Sequence, residues 1–180
     1  AGNDTFKIDA GTDIITDLIT GDIVVISNGA SLNVTGITAF VATNASSNAN
    51  ASATSANLTA ASGTVTIDMS DSNGKYTIIG GSGDNTLKAG KQDSVVKGES
   101  GNDIIVGDAG ADTLTGGAGN DTFTGNAGND TFNIDSGTDI INDLGGSSGS
   151  DTDILVVSSG ATVNAGGIKG FTADSGTKNL

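Results

Sequence analysis

The chain has no cysteine, proline, histidine, tryptophan or arginine, and its seven basic residues are all lysine. Without cysteine there is no disulfide, and without cysteine or histidine there is no thiolate or imidazole zinc site. Without histidine or arginine, the commonest proton-transfer base and the bidentate anion clamp are both missing. Aromatic residues are 3% of the 180 residues, which leaves few rings to stack on bases or sugars. The longest apolar run, Ile23 to Ile26, is far shorter than the roughly 20 residues a membrane-spanning helix needs. No secretory signal pattern is read at the start.

What the chain has is acid, glycine and repetition. It carries 20 Asp and one Glu (Glu99), for a formal charge of -14. Asp over Glu favours turns over helices. Such an acidic surface argues against nucleic acid and anionic membranes as partners, and against membrane insertion. It argues for cations, because stacked aspartates would otherwise repel one another. The large apolar residues are few and evenly spaced, enough for a solenoid with a narrow core if metal adds stability.

Seven nine-residue blocks run without a gap from Gly80 to Asn142. The clearest is Gly116-Gly117-Ala118-Gly119-Asn120-Asp121-Thr122-Phe123-Thr124, the pattern G-G-x-G-x-D-x-U-x with U a large apolar residue. The eighth position reads Leu87, Val96, Ile105, Leu114, Phe123, Phe132 and Ile141. The sixth reads Asn85, Ser94, Asp103, Asp112, Asp121, Asp130 and Asp139, so the carboxylate is present in the last five blocks. Glycines permit a tight turn with exposed carbonyls, aspartate supplies a hard anionic oxygen, and x-U-x is a short strand with one inward side chain. The expected fold is all-β, a parallel β-roll or β-solenoid with calcium ions bound in the glycine-rich turns.

A longer repeat overlies the short one. Ala1 to Leu18 matches Ala127 to Leu144 at 15 of 18 positions, and Asp22 to Phe40 matches Asp153 to Phe171 at 10 of 19, after a five-residue insertion in the later copy. The first offset is 126 residues, fourteen nonapeptides, which predicts that the unit keeps solenoid phase. The chain reads as about one and a half units of a longer repetitive protein, or as a subunit that stacks end to end. Ile23 to Ile67 contains no charge, and its centre, Asn44 to Ser62, is built of small and polar residues. It is read as solenoid rungs packed by small side chains, with a flexible linker as the alternative. The expected divisions are 1–34, the end of one long unit; 35–79, uncharged rungs or linker; 80–144, the nonapeptide roll; and 145–180, the start of the next unit.

The run Gly80–Asn142, and less strongly Ala1–Val25, resembles the repeats-in-toxin (RTX) family of calcium-binding proteins. That resemblance implies blocks alternating between two sides of a roll, with each ion held between a turn and the turn two blocks later by aspartates and carbonyls of both. It implies several calcium ions. The first site pairs Asp103 with Asp121 and takes the carbonyls of Glu99, Gly101, Gly116 and Ala118. The second pairs Asp112 with Asp130 and takes those of Asp108, Gly110, Gly125 and Ala127. The third pairs Asp121 with Asp139, helped by Gly117, Gly119, Ile134 and Ser136. A fourth joins Asp130 to a carboxylate after Asn142, such as Asp143 or Asp151. A fifth pairs Asp4 with Asp22, helped by Gly2, Asp17 and Ile19. Calcium suits such sites, since it accepts six to eight oxygen ligands in flexible geometry. Sites beside Asn85 and Ser94 should be weak or empty. The bland alternative for any one aspartate is an Asx turn without metal. Met69–Gly80 is no EF-hand, because Met69 and Gly80 stand where carboxylates are needed.

No catalytic residue is expected. The aspartates form a periodic series instead of one tuned pair. The expected function is a calcium-dependent structural repeat of a secreted bacterial cell-surface protein, of surface-layer, filament or adhesin type. Its expected partners are calcium and copies of itself or adjacent repeats. The alternatives are a calcium-folding export module of a secreted toxin or hydrolase and, more remotely, a β-helix enzyme acting on polysaccharide. Type I secretion from a Gram-negative bacterium follows from the resemblance alone.

Overall fold

Nine residues make one strand and one turn, so residues eighteen apart fall on the same side of a roll and pair as parallel neighbours. The computed structural model describes residues 2–19, 22–26, 31–37, 39–41, 47–48, 56–60, 62–145, 151–166, 168 and 178–179. They form strands β1 (Thr5–Ile8), β2 (Thr12–Ile15), β3 (Ile23–Ile26), β4 (Ser31–Ile37), β5 (Ala39–Val41), β6 (Ser47–Asn48) and β7 (Ala56–Ala60). There follow β8 (Thr66–Asp68), β9 (Thr77–Ile79), β10 (Thr86–Lys88), β11 (Val95–Ser100), β12 (Ile104–Val106) and β13 (Thr113–Ala118). The last are β14 (Thr122–Thr124), β15 (Thr131–Ile134), β16 (Thr138–Ile141), β17 (Ile154–Val157), β18 (Thr162–Ala165) and β19 (Lys178–Asn179). Among the described residues there is no helix long and apolar enough to cross a membrane.

From β8 onward the strands alternate between two parallel sheets. One holds the even-numbered strands from β8 to β18, with β5 at its edge; the other holds the odd-numbered strands from β9 to β19, with β7, β4 and β2 beyond β9. The fold is thus an all-β parallel solenoid. Within the nonapeptide run the register is eighteen throughout: Thr86 pairs with Ile104, Ile104 with Thr122, Val95 with Thr113 and Thr113 with Thr131. The eighth-position residues Leu87, Val96, Ile105, Leu114, Phe123, Phe132 and Ile141 point inward and have no exposed surface. Phe123 and Phe132 meet edge to face, with centroids 6.1 Å apart. In the nonapeptide run the core is therefore chiefly one large side chain per strand, with Ile134 a second on β15.

Outside that run the rungs lengthen. Asn57 pairs with Thr77, Asn33 with Asn57 and Ala39 with Thr66. Of the centre Asn44–Ser62, only 47–48, 56–60 and residue 62 lie among the described residues; the rest of that expected path lies outside them. A third parallel sheet, β1-β3-β6, carries the start of the chain. The two copies of the long repeat consequently differ in placement: β1 lies in this third sheet, while its counterpart β15 lies in the odd-strand sheet. Among the described residues β15 is the fourteenth strand after β1, yet the copies do not return to the same sheet. The reason is that the uncharged stretch lacks the nine-residue turn and spreads successive strands, β4, β5 and β6, over three sheets.

Candidate metal centres in the turns

Each turn is built from the first six positions of a block. The fourth-position glycines take φ values that only glycine adopts easily, such as +141° at Gly119. The second position is less demanding: Glu99, Asp108 and Asn126 sit there at φ 74°, 72° and 71°, within the left-handed region that Asn and Asp tolerate best.

The sixth-position aspartates are buried and do not make Asx turns. Their Oδ1 atoms reach across to the neighbouring rung on the same side and accept its backbone N–H. Asn85 N–H donates to Asp103 at 2.7 Å, Ser94 to Asp112 at 2.6 Å, and Asp103 to Asp121, Asp112 to Asp130 and Asp121 to Asp139 at 2.8 Å each. Two ladders result, one on each side of the roll.

The second oxygen of each aspartate has no donor. Among the described residues, the buried side-chain atoms without a hydrogen-bond partner are Oδ2 of Asp103, Asp112, Asp121, Asp130 and Asp139. A bare buried carboxylate oxygen is costly, and five in phase require one common explanation. The surroundings supply it. A methyl group added at Gly107 would lie 2.6 Å from Asp112 Oδ2 and 2.8 Å from the carbonyl oxygen of Gly125. At Gly98 the same construction meets Asp103 Oδ2 and the carbonyl of Gly116, 2.6 Å away. Two acceptors thus face one small space cleared by a glycine, and Oδ2 there has no donor. A carboxylate oxygen and a carbonyl oxygen in one place are the kind of donor set a hard cation takes.

The neutral blocks give the control. Asn85 Nδ2 occupies the equivalent place beside Gly80, and it donates to the carbonyl of Gly83 at 2.6 Å. Ser94 Oγ–H donates to the carbonyl of Gln92 at 2.7 Å. Both side chains satisfy themselves with a proton where each aspartate leaves Oδ2 without a donor.

The other expected ligands are placed as follows. The carbonyls of Glu99, Gly101, Gly110 and Gly119 press against the backbones of Gly117, Gly119, Gly128 and Gly137, two blocks on. Ala118 and Ala127 carbonyls each accept an N–H, from Gly101 and Gly110, at 2.9 Å. The Asp108 carbonyl accepts from Ala127 at 3.1 Å, Gly117 from Ser136 at 3.2 Å and Ile134 from Ser158 at 2.8 Å. A carbonyl oxygen has two lone pairs, so those of Ala118, Ala127, Asp108 and Ile134 keep one beyond the bond named, whereas the Gly117 carbonyl also accepts from Ser136 Oγ at 3.1 Å.

At the end of the ladder Asp130 does pair with a carboxylate beyond Asn142, and the one its N–H reaches, at 2.9 Å, is Asp153, displaced by the five-residue insertion, in place of Asp143 or Asp151. Asp143 instead accepts from Gly125 and Asn126, at 2.9 and 2.7 Å, and Asp151 accepts from Gly128 at 3.4 Å. Asp22 repeats the arrangement of Asp153: Asp4 N–H reaches its Oδ1 at 2.9 Å and Ile19 N–H its Oδ2 at 3.0 Å, while Gly145 N–H reaches Asp153 Oδ2 at 2.7 Å. Both oxygens of Asp22 are therefore occupied, the Ile19 carbonyl accepts from Asp22 N–H at 3.1 Å, and Asp4, Gly2 and Asp17 are exposed. The geometry that marks Asp103 to Asp139 is not repeated at Asp22. As the side chains stand, no three acidic groups converge on a point among the described residues. The sites at hand combine carboxylates with carbonyls.

Electrostatics agree with this picture. Burial first, and neighbouring carboxylates second, push the acid of Asp112 up to about 8, of Asp130 to about 7 and of Asp121 to about 6, against the lowering effect of the cross-rung N–H. Burial likewise raises Asp103, Asp139 and Asp153. These groups resist ionising until a positive charge arrives.

A parallel β-roll whose turns pair bare carboxylate oxygens with carbonyls defines a calcium-binding repeat protein. Residues 79–114 and 106–141 match the family model described as RTX calcium-binding nonapeptide repeat (4 copies). The chain thus carries RTX calcium-binding nonapeptide repeats over about a third of its length. No curated protein and no solved structure matches it.

One set of structural residues escaped the sequence reading. Fifth-position side chains form an outer ladder: Asp84 accepts Asn102 N–H at 2.7 Å, Asp93 accepts Ala111 at 3.0 Å, and Asn102, Asn120 and Asn129 accept Asn120, Thr138 and Thr152 at 2.8 Å. The signal was the recurrence of Asp or Asn in a position treated as free.

Proposed function

We propose that this chain is a calcium-folded structural repeat of a secreted bacterial surface protein, without catalytic activity of its own. The observation that carries the calcium part is the row of five buried, donor-free Oδ2 atoms in phase. The surface-repeat part is supported by the long unit, whose near-identical copies at 1–18 and 127–144 suit an array. RTX repeats occur typically in secreted proteins, which favours an extracellular setting. The second reading, an export and folding module for another domain, is favoured by the same turns and lacks support from the long repeat.

The working principle is coupled binding and folding. Where calcium is scarce, the aspartates repel one another and resist burial, and the acidic rungs stay loose. Outside the cell, extracellular modules bind with Kd on the order of 10⁻⁴–10⁻³ M. A bound calcium supplies the positive charge that Oδ2 and the facing carbonyl lack. One site at tenfold Kd adds only about 1.4 kcal/mol, so several must fill together. A calcium titration followed by far-UV circular dichroism, with magnesium and chelator controls, tests this. A steep, calcium-specific gain of β-structure is expected. Spectra indifferent to calcium would sink the proposal.

A further inference from the structure

The sixth position does not begin as aspartate. Followed back along each side of the roll, the ladder Asp139–Asp121–Asp103 continues to Asn85 and then Val65, whose N–H donates to Asn85 Oδ1 at 3.0 Å. The ladder Asp130–Asp112 continues to Ser94 and then Tyr76, whose N–H donates to Ser94 Oγ at 3.2 Å. Val65 and Tyr76 are buried. The ring of Tyr76 fills its own turn, with its hydroxyl on Ser72 Oγ and its edge 2.9 Å from where a Gly90 methyl would sit. In four successive turns, then, an apolar, aromatic, amide or hydroxyl side chain stands where the later turns have a bare carboxylate. Ala89 replaces the first glycine of the Ser94 block, and it is buried, since Ser94 does not reach into that space.

Charge changes at the same boundary. Residues 62–97 contain four Asp (68, 71, 84, 93) and four Lys (75, 88, 91, 97), with no net charge. Two of these pairs are joined, Lys88 to Asp68 at 2.8 Å and Lys75 to Asp93 at 2.9 Å. Residues 98–153 contain ten Asp, Glu99 and no lysine. Strand pairing nevertheless runs through the boundary unbroken, β10 on β12 and β11 on β13.

We infer that residues 62–97 form a metal-independent stretch of the roll, and that they template the calcium-dependent rungs 98–153 stacked on them. Two properties follow. Calcium folding is directional, starting at Asp103 and Asp112, where a finished rung already offers its edge. It also escapes the slow nucleation of a parallel sheet, because the first long-range pairings exist before calcium arrives. The second half of this inference rests on the calcium reading above; the first half does not.

Amide hydrogen exchange on the whole chain, in chelator and in calcium, tests it. In chelator the N–H groups of Met69, Thr86 and Val95, bonded to Lys88, Val65 and Tyr76, should be protected, while those of Thr113, Thr122, Thr131 and Ile140 exchange at least tenfold faster. Calcium should close that gap. Tyr76 is the only tyrosine, so its near-ultraviolet circular dichroism should already be native-like in chelator. If both stretches exchange freely in chelator and both gain protection in calcium, the template is overturned and the calcium reading stands. If both are protected in chelator and calcium changes nothing, both readings fail.

Discussion

An aspartate with one satisfied and one bare oxygen differs from its amide in more than charge. Asn85 shows what the amide does: Oδ1 keeps the cross-rung bond to Val65 and Nδ2 closes the turn on Gly83. Asp112→Asn should behave likewise, with Nδ2 turned to the Gly110 carbonyl. In chelator the variant should protect the Ser94 and Thr113 amides more than the parent does, by on the order of 1 kcal/mol, the value of one added hydrogen bond. In equilibrium dialysis it should bind fewer calcium ions. Asp112→Ala loses the cross-rung bond as well and should be weaker in both conditions. An Asp112→Asn variant that bound calcium like the parent would remove Oδ2 from the site. At this scale the sixth-position aspartates were legible because their spacing is strict. Asp153 was hidden because a five-residue insertion breaks the count, and Tyr76 because nothing in its own block resembles a nonapeptide.

Strands and turns are held to their register by glycines at close approaches. Gly119 is the clearest: its φ of +141° excludes other residues, and an added methyl would overlap the Gly101 carbonyl beneath it. Gly119→Ala should destabilise the calcium-loaded roll by about 1–3 kcal/mol or more, seen as a lower thermal midpoint and a higher calcium midpoint. Asn126→Gly, at φ 71°, should leave both nearly unchanged, within about 0.5 kcal/mol. Equal effects of the two changes would contradict the assignment of turn positions. The three-residue strands and their inward eighth positions were readable from the nine-residue period. The third sheet was not: Ile23 to Ile67 has neither charge nor strict period to mark where the chain turns.

For the whole molecule, charge decides when the roll forms. The raised acids of Asp112, Asp121 and Asp130, at about 8, 6 and 7, mean that the metal-free fold holds protons that an unfolded chain releases near pH 3.9, the ordinary aspartate value of about that size. Stability of the metal-free roll is therefore fullest below about pH 4 and is lost as pH rises through 6 to 8. In chelator, far-UV circular dichroism should show more β-structure at pH 5 than at pH 8. With calcium present, protons compete for the same oxygens, so the calcium midpoint should rise as pH falls. Tyr76, pushed up to about 12 by burial, contributes stability that is full below its ordinary value of about 10 and lost as pH climbs through 12.

Calcium is expected in the spaces between Asp103 Oδ2 and the Gly116 carbonyl, and between Asp112 Oδ2 and the Gly125 carbonyl. Anomalous diffraction from crystals grown in calcium locates the ions directly. Peaks should stand at both places and between Asp121 and Asp139, with none in the turns of Asn85 and Ser94. Empty aspartate turns in a folded, calcium-saturated crystal would contradict this expectation.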